Sequence, residues 1–406
     1  MKMTILSASV GSGHMRAAQA VEKAALELYP LAQVRVVDVL DLASTSFRKV
    51  YGEGYLGLAA SAPHLLGYLY DTLDRPPSMS PMTDSVRRFI QRWSMSAFPD
   101  FLSEEKPDVI VNTHFLPAEL IAALRLRGQT RVPQITVTTD FEAHRFWAHR
   151  PCEHFFTASA ESAGCLRQWG VDDECITPSG IPIDPVFSRL PARAVCLENH
   201  GLRGDRPIVL QLAGGNGMGP IEEIYSQLLS TRAPLEIVVV TGRNQEARRK
   251  LLNRIVPARH RAHVMGYTAH MHELMAAADL VVSKPGGLTT SETLACGVPM
   301  VVVNPIPGQE SRNGDFVLEN GAGIKANTLA SLSDKIDALL IDPERLGTMR
   351  ENARRLGKPC AAYDVARFAA ALAQKGVQPA RTARWSSAAT IEIRVAAPNQ
   401  KNITTH

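Results

Sequence analysis

The 406-residue sequence contains no Cys-x-x-Cys pair; its six cysteines (Cys152, Cys165, Cys175, Cys196, Cys296 and Cys360) are scattered. That spacing argues against a zinc ribbon or a dithiol redox motif and predicts free thiols in a reducing compartment. The sequence also lacks His-Glu-x-x-His and any two aspartates separated by one residue. A zincin helix and the Asp-x-Asp metal clamp of one glycosyltransferase class are therefore missing. His144, His149 and His154 stand five apart, a spacing that suits no metal site, and none is predicted. There is no Gly-Lys-Ser/Thr Walker loop. No apolar run reaches the roughly 18 residues of a spanning helix. The apolar start is broken at residues 11–14, so it reads as a first strand rather than a signal peptide. A net charge of +4 is too small to imply nucleic acid as a partner. No solenoid-scale repeat is visible.

What is present is a globular composition, 45% hydrophobic and 21% charged, in a chain long enough for two domains. Short β-branched strands are expected at 3–8, 33–39, 108–112, 134–138 and 154–158, alternating with helical periods such as 15–28. The pattern restarts with strands at 207–213, 235–241, 262–265, 280–283 and 299–303. Strand–helix alternation predicts parallel sheets with helices on both faces. The expected architecture is α/β: two doubly wound, Rossmann-like domains facing across a cleft. Residues 1–185 form the first domain, 186–205 the linker, 206–376 the second domain and 377–406 an irregular tail. An insertion at about 45–95 holds an apolar, aromatic stretch (residues 50–73) followed by Arg87, Arg88 and Arg92. It reads either as helices covering the first core or as an interfacial surface with apolar anchors beside cations. A second basic run, residues 243–261, has seven Lys and Arg against one acid.

Five loops carry chemistry. The first, SVGSGH (residues 9–14), has Gly11 and Gly13 of a dinucleotide fingerprint, but Arg16 stands where the third glycine belongs. What remains is a tight turn into a helix with His14 in its first turn. A helix N-terminus disfavours imidazolium, which keeps His14 neutral and suited to act as a general base. The second loop, from Gly214 through Gly215 and Gly217 to Gly219, offers backbone N–H groups to an anion. In the third, Lys284, Gly286 and Gly287 lead into a helix whose first turn holds Thr289, Thr290 and Ser291, a diphosphate cradle; Glu292 follows, placed to accept from ribose hydroxyls. The fourth brings Gln309 and Glu310 to the same sheet edge, in reach of sugar hydroxyls. The fifth comprises residues 112–114 and 138–144 on the carboxyl edge of the first sheet, with Asp140 a candidate to orient an acceptor or a histidine.

With these residues in view, the sequence resembles the monogalactosyldiacylglycerol synthase and processive diacylglycerol glycosyltransferase family, glycosyltransferase family 28, within the larger group that includes the murein glycosyltransferase of lipid II synthesis. The resemblance spans roughly residues 1–375 and rests on SASVGSGHMRAAQAV, TDFEAHRFW, SGIPIDPVF, GGNGMGP, VMGYTAHMHELMAAADLVVSKPGGLTTSETLACGVPMVVV and PIPGQESRNGDFVLENGAG. It implies a GT-B fold, a UDP-sugar donor, inversion at the anomeric carbon and no essential metal or cofactor. By motif it implies His14 as base, Gly266 and Tyr267 near the uracil, Glu292 on the ribose, Gln309 and Glu310 on the sugar, and residues 214–219 with Thr289 and Thr290 on the diphosphate. Ala213 stands where many relatives have a further glycine, and Asn216 where plant enzymes have an acid.

The resulting expectation is an inverting hexosyltransferase that moves galactose or glucose from UDP-galactose or UDP-glucose to 1,2-diacylglycerol. The chain is then cytoplasmic, monotopic, and held peripherally at the anionic inner face of the cell membrane. The alternatives are a UDP-GlcNAc transferase acting on another lipid-linked acceptor, a UDP-sugar epimerase or hydrolase of the same fold, and a non-catalytic UDP-sugar sensor. His14 and the segment at 50–73 argue against the sensor.

Overall fold

The computed structural model describes residues 1–49, 95–214, 217 and 219–375. The apolar segment at 50–73, the arginines at 87–92, Gly215, Asn216 and the tail after 376 lie outside the described residues.

Two six-stranded parallel sheets form the frame. The first contains β1 (Lys2–Ser7), β2 (Gln33–Asp38), β3 (Val109–Asn112), β4 (Gln134–Val137), β5 (His154–Phe156) and β6 (Ile176–Thr177), in the order β2-β1-β3-β4-β5-β6. The second contains β7 (Ile208–Leu212), β8 (Glu236–Val240), β9 (Arg261–Met265), β10 (Leu280–Ser283), β11 (Met300–Val303) and β12 (Gly323–Ala326), in the order β12-β11-β10-β7-β8-β9. The inner strands are buried along their whole length, which is why they read as continuous Val, Ile and Leu runs rather than alternating ones. The ten strands expected from sequence are all present, shifted by a residue or two at their ends. The structure adds β6 and β12, both at sheet edges. A two-residue strand carries no periodicity, and Gly-Ile-Lys-Ala in β12 is mostly half-buried. It also adds a helix at Arg193–Asn199, which buries Cys196 in the stretch read as aperiodic linker.

Chain order fixes where a ligand can sit. In each sheet the chain starts near the middle, builds to one side, then crosses to the other. The reversal falls between β1 and β3 in the first sheet and between β7 and β10 in the second. The loops leaving those strand pairs diverge in opposite directions and leave a crevice at the carboxyl edge.

The two sheets share apolar packing. One buried cluster joins Ala17, Phe141, Ile181 and Ile183 of the first half to Val281, Leu288 and Met300 of the second. The last described helix, Ala361–Gln374, returns to the first sheet. Its Ala362, Val365, Ala366 and Ala369 pack with Met3, Ile5, Val21, Val109 and Val111. Small side chains at those helical intervals let it lie close to the helix Ser12–Leu28. All six cysteines are free.

Candidate active site

The first half of the site lies in the crevice between β1 and β3. The helix Ser12–Leu28 begins after Gly11, and His14 is its third residue. His14 Nδ1 is 3.1 Å from the Thr113 carbonyl oxygen and 2.8 Å from Thr139 Oγ1. A carbonyl only accepts, so Nδ1 carries the proton and Nε2 keeps its lone pair. Thr113 Oγ1 donates back to the His14 carbonyl at 3.1 Å, which clamps the loop after β3 to the helix. Burial, opposed by the Thr113 bond, pushes the His14 imidazole down to about 4. It is therefore neutral at pH 7. The sequence expectation attributed neutrality to the helix N-terminus; in the structure desolvation is the leading cause.

Around His14 stands a dry aromatic wall. His114 meets it edge-on at 4.6 Å and stacks on Phe115 at 4.2 Å. Trp147, fully buried, lies 6.3 Å away. His114 Nδ1 accepts from the Leu116 N–H at 3.0 Å and so starts the next helix. Burial lowers His114 well below its ordinary value and His144 to about 3. Three imidazoles crowd together here without mutual charge.

The second half lies in the crevice between β7 and β10. Gly217 has φ 62°, and a Cβ there would come within 2.5 Å of the Thr241 carbonyl, so the turn after β7 requires glycine. Gly214 begins the same turn. Past β10, Gly286 precedes the helix Gly287–Ala295, whose first N–H groups have no side-chain cap. Lys284 Nζ lies 3.6 Å from Glu310 Oε1, and Glu310 Oε2 accepts from the Ile306 N–H at 2.8 Å. Gly266 and Tyr267 follow β9 at the sheet edge, with Tyr267 71% exposed.

Two hydroxyls in the cradle differ from expectation. Thr290 is fully buried, and its Oγ1 faces Met300 Sδ in the core at 4.0 Å, away from the cleft. Its position, three residues past Gly287, falls on the helix face that packs against the sheet. Thr289 is half-buried, and Ser291 Oγ is buried with no hydrogen bond among the described residues.

The two halves meet. A Cβ on Gly287 would stand 2.4 Å from the Thr139 carbonyl oxygen, so the donor-side helix abuts the loop that holds His14. Gln309 Nε2 donates to Asp140 Oδ2 at 2.9 Å. Burial raises the Asp140 carboxyl to about 7, against the nearby Trp147 indole and Arg312. Phe141 N–H donates to Asn313 Oδ1 at 3.0 Å, Phe141 stacks on Phe316 at 4.4 Å, and Arg312 pairs with Glu142 at 3.2 Å. Residues 139–142 therefore dock on the helix Gln309–Glu319. Arg16 reaches across to the buried Glu292 Oε1. Burial lifts Glu292 to about 7, more than the Arg16 charge lowers it. The residue that spoils the dinucleotide fingerprint is the partner of the expected ribose ligand. Sequence reasoning missed Arg16, Thr113, Thr139, Arg312 and Asn313 as parts of this junction. Their contacts span 99 to 276 positions along the chain; Arg16 gave a signal as an oddity in a glycine motif, and Thr113 and Thr139 lay in the stretches placed on the carboxyl edge without being singled out.

Comparison with known proteins follows the same division. The family profile described as Monogalactosyldiacylglycerol (MGDG) synthase matches residues 14–183, and that of Glycosyl transferases group 1 matches residues 221–356. The chain is 26% identical over 359 residues to a processive diacylglycerol beta-glucosyltransferase of Bacillus mycoides strain KBAB4, covering 88% of this chain and 90% of the relative. Among solved structures, MurG of Acinetobacter baumannii superposes with a TM-score of 0.60 at 18% identity, covering 91% of this chain and 99% of that one. Anabaena Alr3699/HepE in complex with UDP does so at 0.52 and 16%, covering 92% and 99%. These likenesses show the GT-B fold.

Proposed function

We propose that this chain, whose residues 14–183 match the Monogalactosyldiacylglycerol (MGDG) synthase profile, is a member of that family and transfers a hexosyl group from a UDP-sugar to 1,2-diacylglycerol. The observation that carries the site assignment is Thr139. Its hydroxyl holds His14 and its carbonyl touches the start of the Gly287 helix, so base and donor cradle adjoin through one residue.

In this reading the acceptor's free hydroxyl enters beside His14. Its oxygen attacks the anomeric carbon from the face opposite UDP and its proton passes to Nε2. The bond from the anomeric carbon to the β-phosphate oxygen breaks, its electron pair stays on UDP, and the configuration inverts. The leaving charge is stabilised by the N–H groups at Gly286 and Gly287, by the glycine-rich sequence 214–219, by Lys284 and by the Thr289 and Ser291 hydroxyls. That donor set is preorganised for a diphosphate, and the chemical step uses no divalent ion. Glu292 exchanges Arg16 for the ribose hydroxyls. Gln309 and Glu310 read the sugar, with Asp140 fixing the Gln309 amide. Gly266 and Tyr267 flank the uracil. UDP-glucose and UDP-galactose both fit this set of ligands.

Diacylglycerol resides in a bilayer, so the enzyme works peripherally at the inner face of the cell membrane. None of the described helices is long and apolar enough to cross one. The apolar and basic segment at 50–92 is the sequence suited to that contact. The deciding experiment supplies purified protein with diacylglycerol vesicles and UDP-glucose, UDP-galactose or UDP-GlcNAc, and analyses the lipids by mass spectrometry. A hexosyldiacylglycerol from one of the first two donors, lost in His14→Ala, is the expected result. Product from UDP-GlcNAc alone, free sugar released without lipid, or near-normal activity in His14→Ala overturns the reading.

A further inference from the structure

A second cluster of reactive side chains lies outside all the groups used above, where the linker meets the second sheet. The helix Arg193–Asn199 ends at His200, and it packs beside the helix Met271–Ala277, which starts after His270. Glu273 is in the first turn of the latter helix and is 9% exposed. Three imidazoles converge on its two oxygens. His200 Nε2 lies 3.0 Å from Oε2, His270 Nδ1 3.4 Å from Oε1, and His272 Nε2 3.7 Å from Oε1. The ligand atoms of His270, His272 and Glu273 all fall within 4.8 Å of one another.

From this arrangement we infer that His200, His270, His272 and Glu273 form a binding site for a transition-metal dication of the Zn²⁺ class. Ligands about 2.0–2.2 Å from a tetrahedral zinc stand about 3.3 Å apart; the imidazole nitrogens lie 3.0–3.7 Å from the Glu273 oxygens, and His200 joins the His270, His272 and Glu273 group through Glu273. Three imidazole nitrogens and one carboxylate suit zinc, cobalt or nickel and suit calcium or magnesium poorly. Asn199 Nδ2 donates to Glu273 Oε2 at 3.1 Å and fixes the carboxylate, as outer partners of metal ligands do. His200 Nε2 is enclosed and makes no hydrogen bond of acceptable geometry, although Glu273 stands beside it. Only His270, with its side chain 64% exposed, opens to solvent and provides an entry path.

The site is structural. It touches no reacting group, and a bound ion would tie the end of the loop at residues 266–270 to the linker through His200. The test uses the full chain, stripped with a chelator and desalted. Titration with Co²⁺ is expected to give visible d–d bands that saturate at one ion per chain, without the near-ultraviolet thiolate band that cysteine ligation would produce. Zn²⁺ is expected to displace the Co²⁺ and raise the thermal midpoint. In His270→Ala/His272→Ala the affinity for Zn²⁺ should fall at least tenfold; His200→Gln, which leaves the helix Met271–Ala277 intact, should act in the same direction. The inference is overturned by the absence of saturable binding at one equivalent, by a thiolate band, or by unchanged affinity in folded variants.

Discussion

Gly287→Ala probes whether the base and the donor cradle are linked mechanically. The backbone at Gly287 is one that any residue adopts, and alanine favours a helix over glycine by up to about 1 kcal/mol, so the change alone does not unfold the protein. The added Cβ, however, would stand 2.4 Å from the Thr139 carbonyl oxygen and 3.1 Å from Ile181 Cδ1. The isoleucine methyl can turn aside; the carbonyl is main chain and must move, by about 1 Å, to reach ordinary contact distance. Thr139 Oγ1 moves with it, and its 2.8 Å bond to His14 Nδ1 stretches beyond hydrogen-bond range. A displacement of that size at a catalytic group costs about 10²-fold in kcat, or about 2.7 kcal/mol of barrier. Initial rates of glycolipid formation at saturating donor, with UDP binding measured by calorimetry, separate the effects. The expected outcome is a kcat loss near two orders of magnitude, with UDP affinity within about threefold of wild type and an unchanged thermal midpoint. A folded Gly287→Ala protein with wild-type kcat would refute the linkage.

Other predictions concern single groups. Thr139→Val should lower kcat about tenfold without weakening UDP binding, and Thr139→Ser should recover most of it; equal loss in both would show that the hydroxyl is not what matters. Because burial holds His14 at about 4, kcat should stay level from pH 8 to pH 6 and fall on the acid side with a midpoint near 4; a midpoint at 6 or above would contradict the assignment. Asp140 has the opposite sign. Its folded carboxyl stays protonated to about 7 while the unfolded one ionises near 4, so it contributes a loss of stability as pH rises between those values. Asp140→Asn should remove that slope, and the difference in thermal midpoint between variant and wild type should grow from pH 4 to pH 7. Glu292→Ala should raise the KM for UDP-sugar about tenfold or more while moving kcat less, and an unchanged KM would remove Glu292 from the donor site.

Local pattern carried most of the fold. Strands such as β7, β8 and β10 are mostly apolar, with one polar residue each and a glycine two or three residues past the end, as suits a parallel sheet buried on both faces. The loops at the carboxyl edge were equally legible, because Lys284 to Gly287 and Gly308 to Glu310 each sit where a strand stops. What sequence did not convey was pairing across the cleft. Glu292 is expected from sequence to meet ribose hydroxyls, with no sign of its Arg16 partner, and Asp140 to serve the acceptor or a histidine rather than Gln309. Thr290 was misread because the hydroxyl-rich first turn hides which face of the helix packs inward. The neutral state of His14 was foreseen from the helix terminus, but the main cause is the enclosure supplied by loops more than ninety residues away. The Zn²⁺-class cluster was likewise invisible, since His200 and Glu273 are distant in sequence and adjoin only once the linker forms a helix.

The return of the helix Ala361–Gln374 to the first sheet bears on how the protein is made. Met3, Ile5, Val109 and Val111 emerge from the ribosome early, yet the side chains that cover them, Val365 and its alanine neighbours, are synthesised more than two hundred and fifty residues after β3. Until then that face of the nascent first sheet is covered by the helix Ser12–Leu28 but not by the last helix, and apolar side chains left open there are the kind of surface that aggregates or recruits chaperones. The first half of the chain is thus completed last, and a fragment that stops before residue 361 would leave part of that face, beside the helix Ser12–Leu28, open to solvent.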